Sequence, residues 1–84
     1  MPLQVAWEPL ERDTVVAVPD RYGIYELGDD DGTVLVVDHG PLRDALKEAL
    51  SYHREATQVR YRVTANRPEA EHLVEEHRAR LDSS

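Results

Sequence analysis

Hydrophobic residues along the chain follow two spacings, one typical of strands and one typical of helices. Residues 22–27 and 33–38 are rich in aromatic and β-branched side chains, and a loop of glycine and aspartate separates them. This order predicts an antiparallel hairpin. Because residues 34–37 are apolar at every position, we expect their strand to be central in its sheet and covered on both faces.

Two amphipathic helices and a third strand are predicted after the hairpin. Pro41 suits a first helical position, and apolar residues then recur at helical spacing over residues 42–53. Residues 58–64 alternate strictly, which directs Arg60 and Arg62 away from the core. Asn66 is a preferred N-cap residue and opens a second helix. We expect the buried stripe of that helix to consist of Ala70, Leu73, Val74, His77 and Leu81.

The beginning of the chain gives a weaker pattern. Residues 14–18 form a short apolar run that Pro19 stops, and they are either an edge strand or an arm packed on the core. The predicted order is therefore (β)ββαβα. It indicates an α+β fold, an α/β sandwich in which a small, mostly antiparallel sheet is packed by two helices. We expect one domain over residues 1–84, with an N-terminal arm at 1–12 and a frayed tail at 82–84.

Composition narrows the class of protein. The chain has no cysteine, which excludes disulfides and thiolate zinc sites. Its start lacks the basic segment and apolar run of a signal peptide, and its longest apolar stretch is far too short to span a bilayer. We therefore expect a cytoplasmic protein that does not associate with membranes.

The charge balance bears on partners and on origin. The formal net charge is −7, and such a surface repels a phosphate backbone, which disfavours nucleic acid as a partner. Lys47 is the only lysine among ten strong bases. Acid excess with almost no lysine is typical of proteins from salt-loving archaea, in whose cytoplasm high salt screens carboxylate repulsion. The alternative is a GC-rich bacterial genome, which favours arginine codons and an acidic composition.

A resemblance to a known family rests on Gly23-Ile24-Tyr25. Together with Pro19, these residues resemble the P-x-x-x-G-[IV]-Y-x-[IL] opening of the GIY-YIG nuclease family. The next strand and the leucine-containing helix after it resemble the second half of that signature. Residues 69–75 resemble the family's final helix, in which a glutamate binds metal. The similarity spans about residues 7–81 and implies a GIY-YIG-like fold.

The resemblance also shows which catalytic groups are missing. A GIY-YIG nuclease is expected to use two strand tyrosines, a helix arginine and a glutamate that holds a divalent ion. Tyr25 stands at the first tyrosine position. Residues that neither bind metal nor transfer protons take the other three positions: Val36, Ala45 and Val74. Glu75 is adjacent to the glutamate position, but one residue rotates it by ~100° around the helix.

Two functions follow from this pattern. The first is a catalytically inactive domain that serves as a binding or structural module without a cofactor, its partner being a protein or a second copy of the chain. The alternative is a divergent metal-dependent nuclease acting on nucleic acid. It would use Tyr25, Arg43 and Glu75 in displaced positions, with Mg²⁺ or Mn²⁺ as cofactor. The missing groups favour the first, with no resident metal site.

The remaining polar residues each have two interpretations. A locally basic region consists of four arginines: Arg54, Arg60, Arg62 and Arg67. These residues either contact phosphate or form a solvated surface that discourages strand aggregation, and we favour the second interpretation. His39 either contributes to a polar pocket with Asp38 or is an exposed residue of a turn. The aspartates at 29–31 either hold a cation or form a solvated hairpin tip, and they lack the spacing of a calcium loop.

Overall fold

The fold is an α+β sandwich, as the sequence predicts. A computed structural model describes the backbone of residues 6–82 and the side chains of residues 6–79. The side chain of Leu81, which the sequence predicts to be buried, is not among the described side chains. Residues 83–84 of the predicted tail lie outside the described residues. The elements are β1 (Glu8–Pro9), α1 (Arg12–Val16), β2 (Tyr22–Gly28), β3 (Val34–Pro41), α2 (Leu42–Tyr52), β4 (Gln58–Val63) and α3 (Arg67–Asp82).

All strand pairs that the structure describes are antiparallel, and the sheet order is β1-β4-β2-β3. The hairpin of β2 and β3 is confirmed. Its turn is built by Asp29, whose carboxylate Oδ1 accepts hydrogen bonds from the backbone N–H groups of Asp31 and Thr33 at 2.9 and 3.0 Å. This is the Asx geometry for which aspartate is favoured in turns.

The prediction of an edge strand at residues 14–18 is wrong, because this run forms the short helix α1 and the turn after it. Val15 and Val18, three residues apart, are buried, whereas Val16 between them is 57% exposed. A strand would bury alternate residues instead. The backbone N–H of Val15 donates to the carbonyl of Glu11, as in a helix. The alternative of an arm packed on the core describes this segment better, and β1 also lies within the predicted arm.

The prediction that the apolar run at 34–37 is a central strand is also wrong. β2 is central, because β4 pairs with β2 on the side away from β3. β3 is therefore the last strand of the sheet, and Leu35 is 40% exposed. Coverage on both faces is confirmed, since Val36 packs in one core cluster and Val37 in the other. Its apolar pattern thus reflects helices on both faces of the sheet rather than strands on both sides.

Two hydrophobic clusters, one on each face of the sheet, hold the layers together. On the first face, α1 and α2 pack against β2 and β4, and the fully buried residues include Leu27, Leu46 and Val59. On the second face, α3 packs through Ala70 and Val74. Helix α2 and its buried stripe are confirmed, as is the N-cap of α3, where Asn66 Oδ1 accepts the backbone N–H of Glu69 at 2.9 Å.

Candidate functional site

Tyr25, the tyrosine that the family resemblance selects, lies in the middle of the central strand and is only 9% exposed. Its ring belongs to the cluster on the α1 and α2 face. Burial, together with the nearby carboxylates of Asp38 and Glu48, raises the pKa of its hydroxyl to about 12, against a smaller opposing effect of Arg78. At neutral pH this side chain is a neutral phenol in an acidic environment.

The neighbouring positions of the resemblance are filled by packing residues. Val36 and Ala45 pack against the same cluster as Tyr25. The packing of the sheet requires glycine at position 23, because a Cβ there would overlap the backbone carbonyl oxygen of Arg62 on β4. Two residues of the Gly23-Ile24-Tyr25 motif therefore serve the packing of the central strand directly, since Ile24 is fully buried against α3.

The structure does not bring the residues of the alternative nuclease site together. Val74 is buried in the cluster on the α3 face, opposite to Tyr25, and Glu75 beside it is exposed. Arg43 begins α2, and its Nε donates a hydrogen bond to the carbonyl oxygen of Val18 at 3.1 Å. This bond ties α2 to the end of the α1 segment. Arg43 is thus engaged with the protein backbone rather than directed at a reaction centre.

The predicted basic region does not act as one surface. The prediction that Arg60 is a solvated strand residue is wrong: it is 14% exposed, and its Nε donates to the carboxylate of Glu26 at 2.8 Å. Glu26 is 2% exposed and lies beside Arg60 because β2 and β4 pair. The guanidinium carbon of Arg60 also lies 4.1 Å from the ring centre of Trp7, a cation–π arrangement.

The other three arginines of this set are exposed, and they lie on different elements. Arg62 is on β4, Arg54 follows α2, and Arg67 begins α3. Arg67 forms an ion pair with Glu71 at 2.8 Å, one helical turn along. With Arg60 also paired to Glu26, two of the four cations are already matched by carboxylates, which weakens the case for phosphate contacts.

His39 lies in β3, so its prediction as an exposed turn residue is wrong. It is half-buried, and its Nδ1 is 2.7 Å from the hydroxyl of Tyr22. Its backbone N–H donates to Asp38 Oδ1 at 2.8 Å. The imidazole therefore has a polar partner, which is Tyr22 rather than the Asp38 carboxylate that the sequence suggested.

The outer edge of β3 carries a feature that the sequence did not indicate. Arg78 extends from α3, and its Nη2 donates to the backbone carbonyl of Val37 at 2.9 Å. The same nitrogen lies 3.8 Å from Asp38 Oδ1. A surface groove of ≈ 300 Å³ runs beside this pair, lined by Arg78 and residues 34–37. We call it the β3-edge groove.

Within the described residues, no group of three histidine or acidic side chains is arranged to hold a metal ion. No helix in this part of the chain has the length and apolar character needed to cross a bilayer.

Fold and site together define a small α+β sandwich whose Tyr25 is a core residue and whose accessible groove follows a sheet edge. The chain belongs to the family described as Domain of unknown function (DUF7508), whose model matches residues 1–80. Neither the curated proteins nor the solved structures include a match to it.

Proposed function

We propose that this domain is a catalytically inactive relative of the GIY-YIG nucleases that serves as a protein-binding module. The observation that carries the proposal is the state of Tyr25. It is buried in an aliphatic cluster, and burial together with the carboxylates of Asp38 and Glu48 raises the pKa of its hydroxyl to about 12, although Arg78 opposes this shift. A tyrosine in this state keeps its proton at neutral pH and does not activate a nucleophile.

Kinship with the GIY-YIG fold is supported by the topology. The strand carrying Gly23-Ile24-Tyr25 is central, the next strand forms a hairpin with it, and α2 begins directly after that hairpin. This is the order that the resemblance implies. The kinship itself remains part of the proposal.

Loss of activity is supported by the chemistry around Tyr25. Phosphoryl transfer needs cations to balance the charge that develops on phosphate. Val36 and Ala45 supply none, the nearby Arg78 is engaged with the Val37 carbonyl and Asp38, and the carboxylates of Asp38 and Glu48 repel phosphate. Glu75 lies on a helix that packs against the other face of the sheet. Nucleic acid is further disfavoured by the net charge of −7.

A cleavage assay tests this proposal. Purified protein is incubated with single- and double-stranded DNA and RNA in the presence of Mg²⁺ or Mn²⁺, beside the Tyr25→Phe variant as the matched control. We expect no cleavage above background from either protein. Cleavage by the wild-type chain that Tyr25→Phe abolishes would overturn the proposal and establish the divergent nuclease.

We also propose a cytoplasmic location in a salt-loving organism. The support is compositional: no cysteine, one lysine, and an acidic excess that produces a net charge of −7. At molar salt the Debye length is only ~3 Å, so these carboxylates repel each other little. Loss of cooperative folding on raising the salt concentration would contradict this proposal.

A further inference from the structure

The pair of Asp38 and Arg78 occupies hydrogen-bonding groups that a neighbouring strand would use. β3 ends the sheet, so its outer side pairs with no other strand of residues 6–82. The carbonyl of Val37 accepts from Arg78, and the N–H of His39 donates to the Asp38 carboxylate. A strand running parallel to β3 would bind the same two groups through the N–H and the carbonyl of one of its residues. The two side chains therefore imitate a bound strand at this point.

The remainder of the edge is apolar and accessible. Residues 34–36 precede the capped point, and Leu35 is 40% exposed beside the β3-edge groove. Long aliphatic edge strands are ready templates for pairing, and proteins usually protect them with charge, proline or a bulge. Here the register of β2 with β3 shifts by one residue at Leu35, and the charged pair covers only the second half of the edge, so among the described residues this bulge alone protects the first half.

We propose that the β3-edge groove binds an extended segment of a partner protein, apolar opposite residues 34–36 and basic opposite Asp38. This inference rests on the proposed function and names the class of partner. The partner adds a strand to the sheet, and its basic side chain replaces Arg78 beside Asp38.

Charge complementarity selects this occupant. Arg78 shows which chemical group the edge binds. Its guanidinium is a cation beside Asp38 and also donates a hydrogen bond to the carbonyl of Val37. Its ion pair with Asp38 is loose at 3.8 Å and about half exposed, so displacing it costs little. Asp38 and Glu48 make this part of the surface acidic. A second copy of the chain would bring a further net charge of −7 to the same edge.

The test selects peptides of roughly ten residues, about the length of one strand, from a random display library against the wild-type chain. We expect the enriched peptides to carry an aliphatic stretch and, next to it, a basic residue, and to lack internal proline. Synthetic copies are then titrated into the labelled protein. The amide NMR signals that shift should belong to residues 34–39 and to Arg78. Enrichment of acidic or proline-containing peptides, no enrichment, or shifts centred elsewhere would overturn the inference.

Leu35→Lys should weaken peptide binding by about tenfold, because it replaces an apolar contact with a charge that repels a basic strand. The matched control is Val16→Lys, which makes the same change at an exposed valine of α1 and should leave binding unaltered. Equal effects of the two substitutions would contradict the edge site. The NMR mapping on the wild-type chain decides the question if Leu35→Lys does not fold.

Opposite effects are expected for the two members of the charged pair. Asp38→Asn should weaken binding of a basic peptide, and Arg78→Ala should strengthen it, each by about two- to fivefold, as for an exposed ion pair. A merely structural pair would weaken binding in both variants. Arg67→Ala removes an exposed arginine from the same helix and serves as the control for charge.

The outcomes separate this inference from the function on which it rests. Peptides that bind the wild-type chain and the Leu35→Lys variant equally would remove the edge site and leave the binding module in place. A concentration-dependent dimer that Leu35→Lys abolishes would assign the edge to a second copy and overturn the peptide as its occupant. Metal-dependent cleavage of DNA that requires Tyr25 would overturn the proposed function itself.

Discussion

Replacement of Arg60 by methionine should destabilise the domain strongly. The substitution keeps an unbranched side chain of similar length but removes the cation that neutralises Glu26. Glu26 is 2% exposed on the central strand, so its carboxylate would lose its cationic neighbour where water does not reach it. Removing one partner of a buried ion pair costs about 3–5 kcal/mol. Loss of the contact with Trp7 adds about 0.5–1 kcal/mol.

This loss is large relative to the whole stability of a small domain. At about 0.05–0.15 kcal/mol per residue, a chain of this length has roughly 4–13 kcal/mol of stability. A loss of about 3 kcal/mol lowers the unfolding midpoint temperature of a domain this size by roughly 12–24 °C. Urea unfolding followed by circular dichroism measures the free energy of unfolding of each variant. Arg62→Met on the same strand is the matched control and should change it by less than about 0.5 kcal/mol, because Arg62 is exposed.

A double-mutant cycle tests the reason for the loss. Glu26→Leu combined with Arg60→Met replaces the pair by apolar side chains, and such replacements of buried ion pairs are often neutral or stabilising. We expect the double variant to be more stable than Arg60→Met alone, with a coupling energy of about 1–3 kcal/mol. Equal effects of Arg60→Met and Arg62→Met, or additive effects of the two changes at Glu26 and Arg60, would show that the ion pair does not stabilise the sheet.

Three further predictions concern the central strand and the charge. Gly23→Ala should lower the free energy of unfolding by about 1–3 kcal/mol or more, because its Cβ would meet backbone atoms. Gly28→Ala should lower it less, because its Cβ would lie 2.7 Å from the Trp7 ring, which can shift. Urea unfolding midpoints compare the two variants. The pKa of Tyr25 is raised to about 12, so the folded state resists its ionisation, and stability should fall as pH rises from about 10 towards 12. Tyrosinate absorbance should show this late step. Tyr25→Phe should remove it and reduce the fall in stability, of which Tyr61 retains a part because burial and Glu8 also raise its pKa. Finally, stability should rise as salt increases from low concentration, because salt screens a net charge of −7; an opposite trend in thermal unfolding would contradict this.

Local patterns predicted most of the elements. The apolar residues of α2 recur over three helical turns, Asn66 is an effective cap, and the Gly/Asp loop permits only a tight connection between β2 and β3. The strand prediction for residues 14–18 failed because a run of five residues is too short to distinguish the two-residue spacing of a strand from the three- to four-residue spacing of a helix. The helix is distinguished by the burial of Val15 and Val18, three residues apart, with both residues between them exposed, and by its backbone hydrogen bond from Val15 to Glu11.

Long-range pairing explains the remaining errors. An apolar run such as residues 34–37 is compatible with a central or an edge strand, and its place depends on where β4 pairs. Arg60 and Arg62 occupy equivalent positions of an alternating strand, yet only Arg60 lies opposite Glu26. A single acid within an otherwise apolar strand was the available signal that Glu26 needs a buried partner.

The edge pair was beyond the reach of sequence patterns, because Asp38 and Arg78 lie forty residues apart and on different elements. The candidate catalytic set shows the opposite case. The alternative nuclease hypothesis brought Tyr25 and Glu75 into one site, whereas the structure places them on the central strand and on the helix of the opposite layer. A position in a motif is a sequence feature, and only the packing shows whether the groups meet.

The most direct test of the central claim, that Tyr25 belongs to no catalytic metal centre, is paramagnetic NMR with Mn²⁺. Contaminating nucleases can imitate activity in a cleavage assay, whereas line broadening by Mn²⁺ reports the site itself. The account predicts that stoichiometric Mn²⁺ causes no broadening shared by the signals of Tyr25 and Glu75, and that Tyr25→Phe leaves the broadening pattern unchanged. Selective broadening of both residues at stoichiometric metal, reduced when Glu75 is replaced by glutamine, would contradict it.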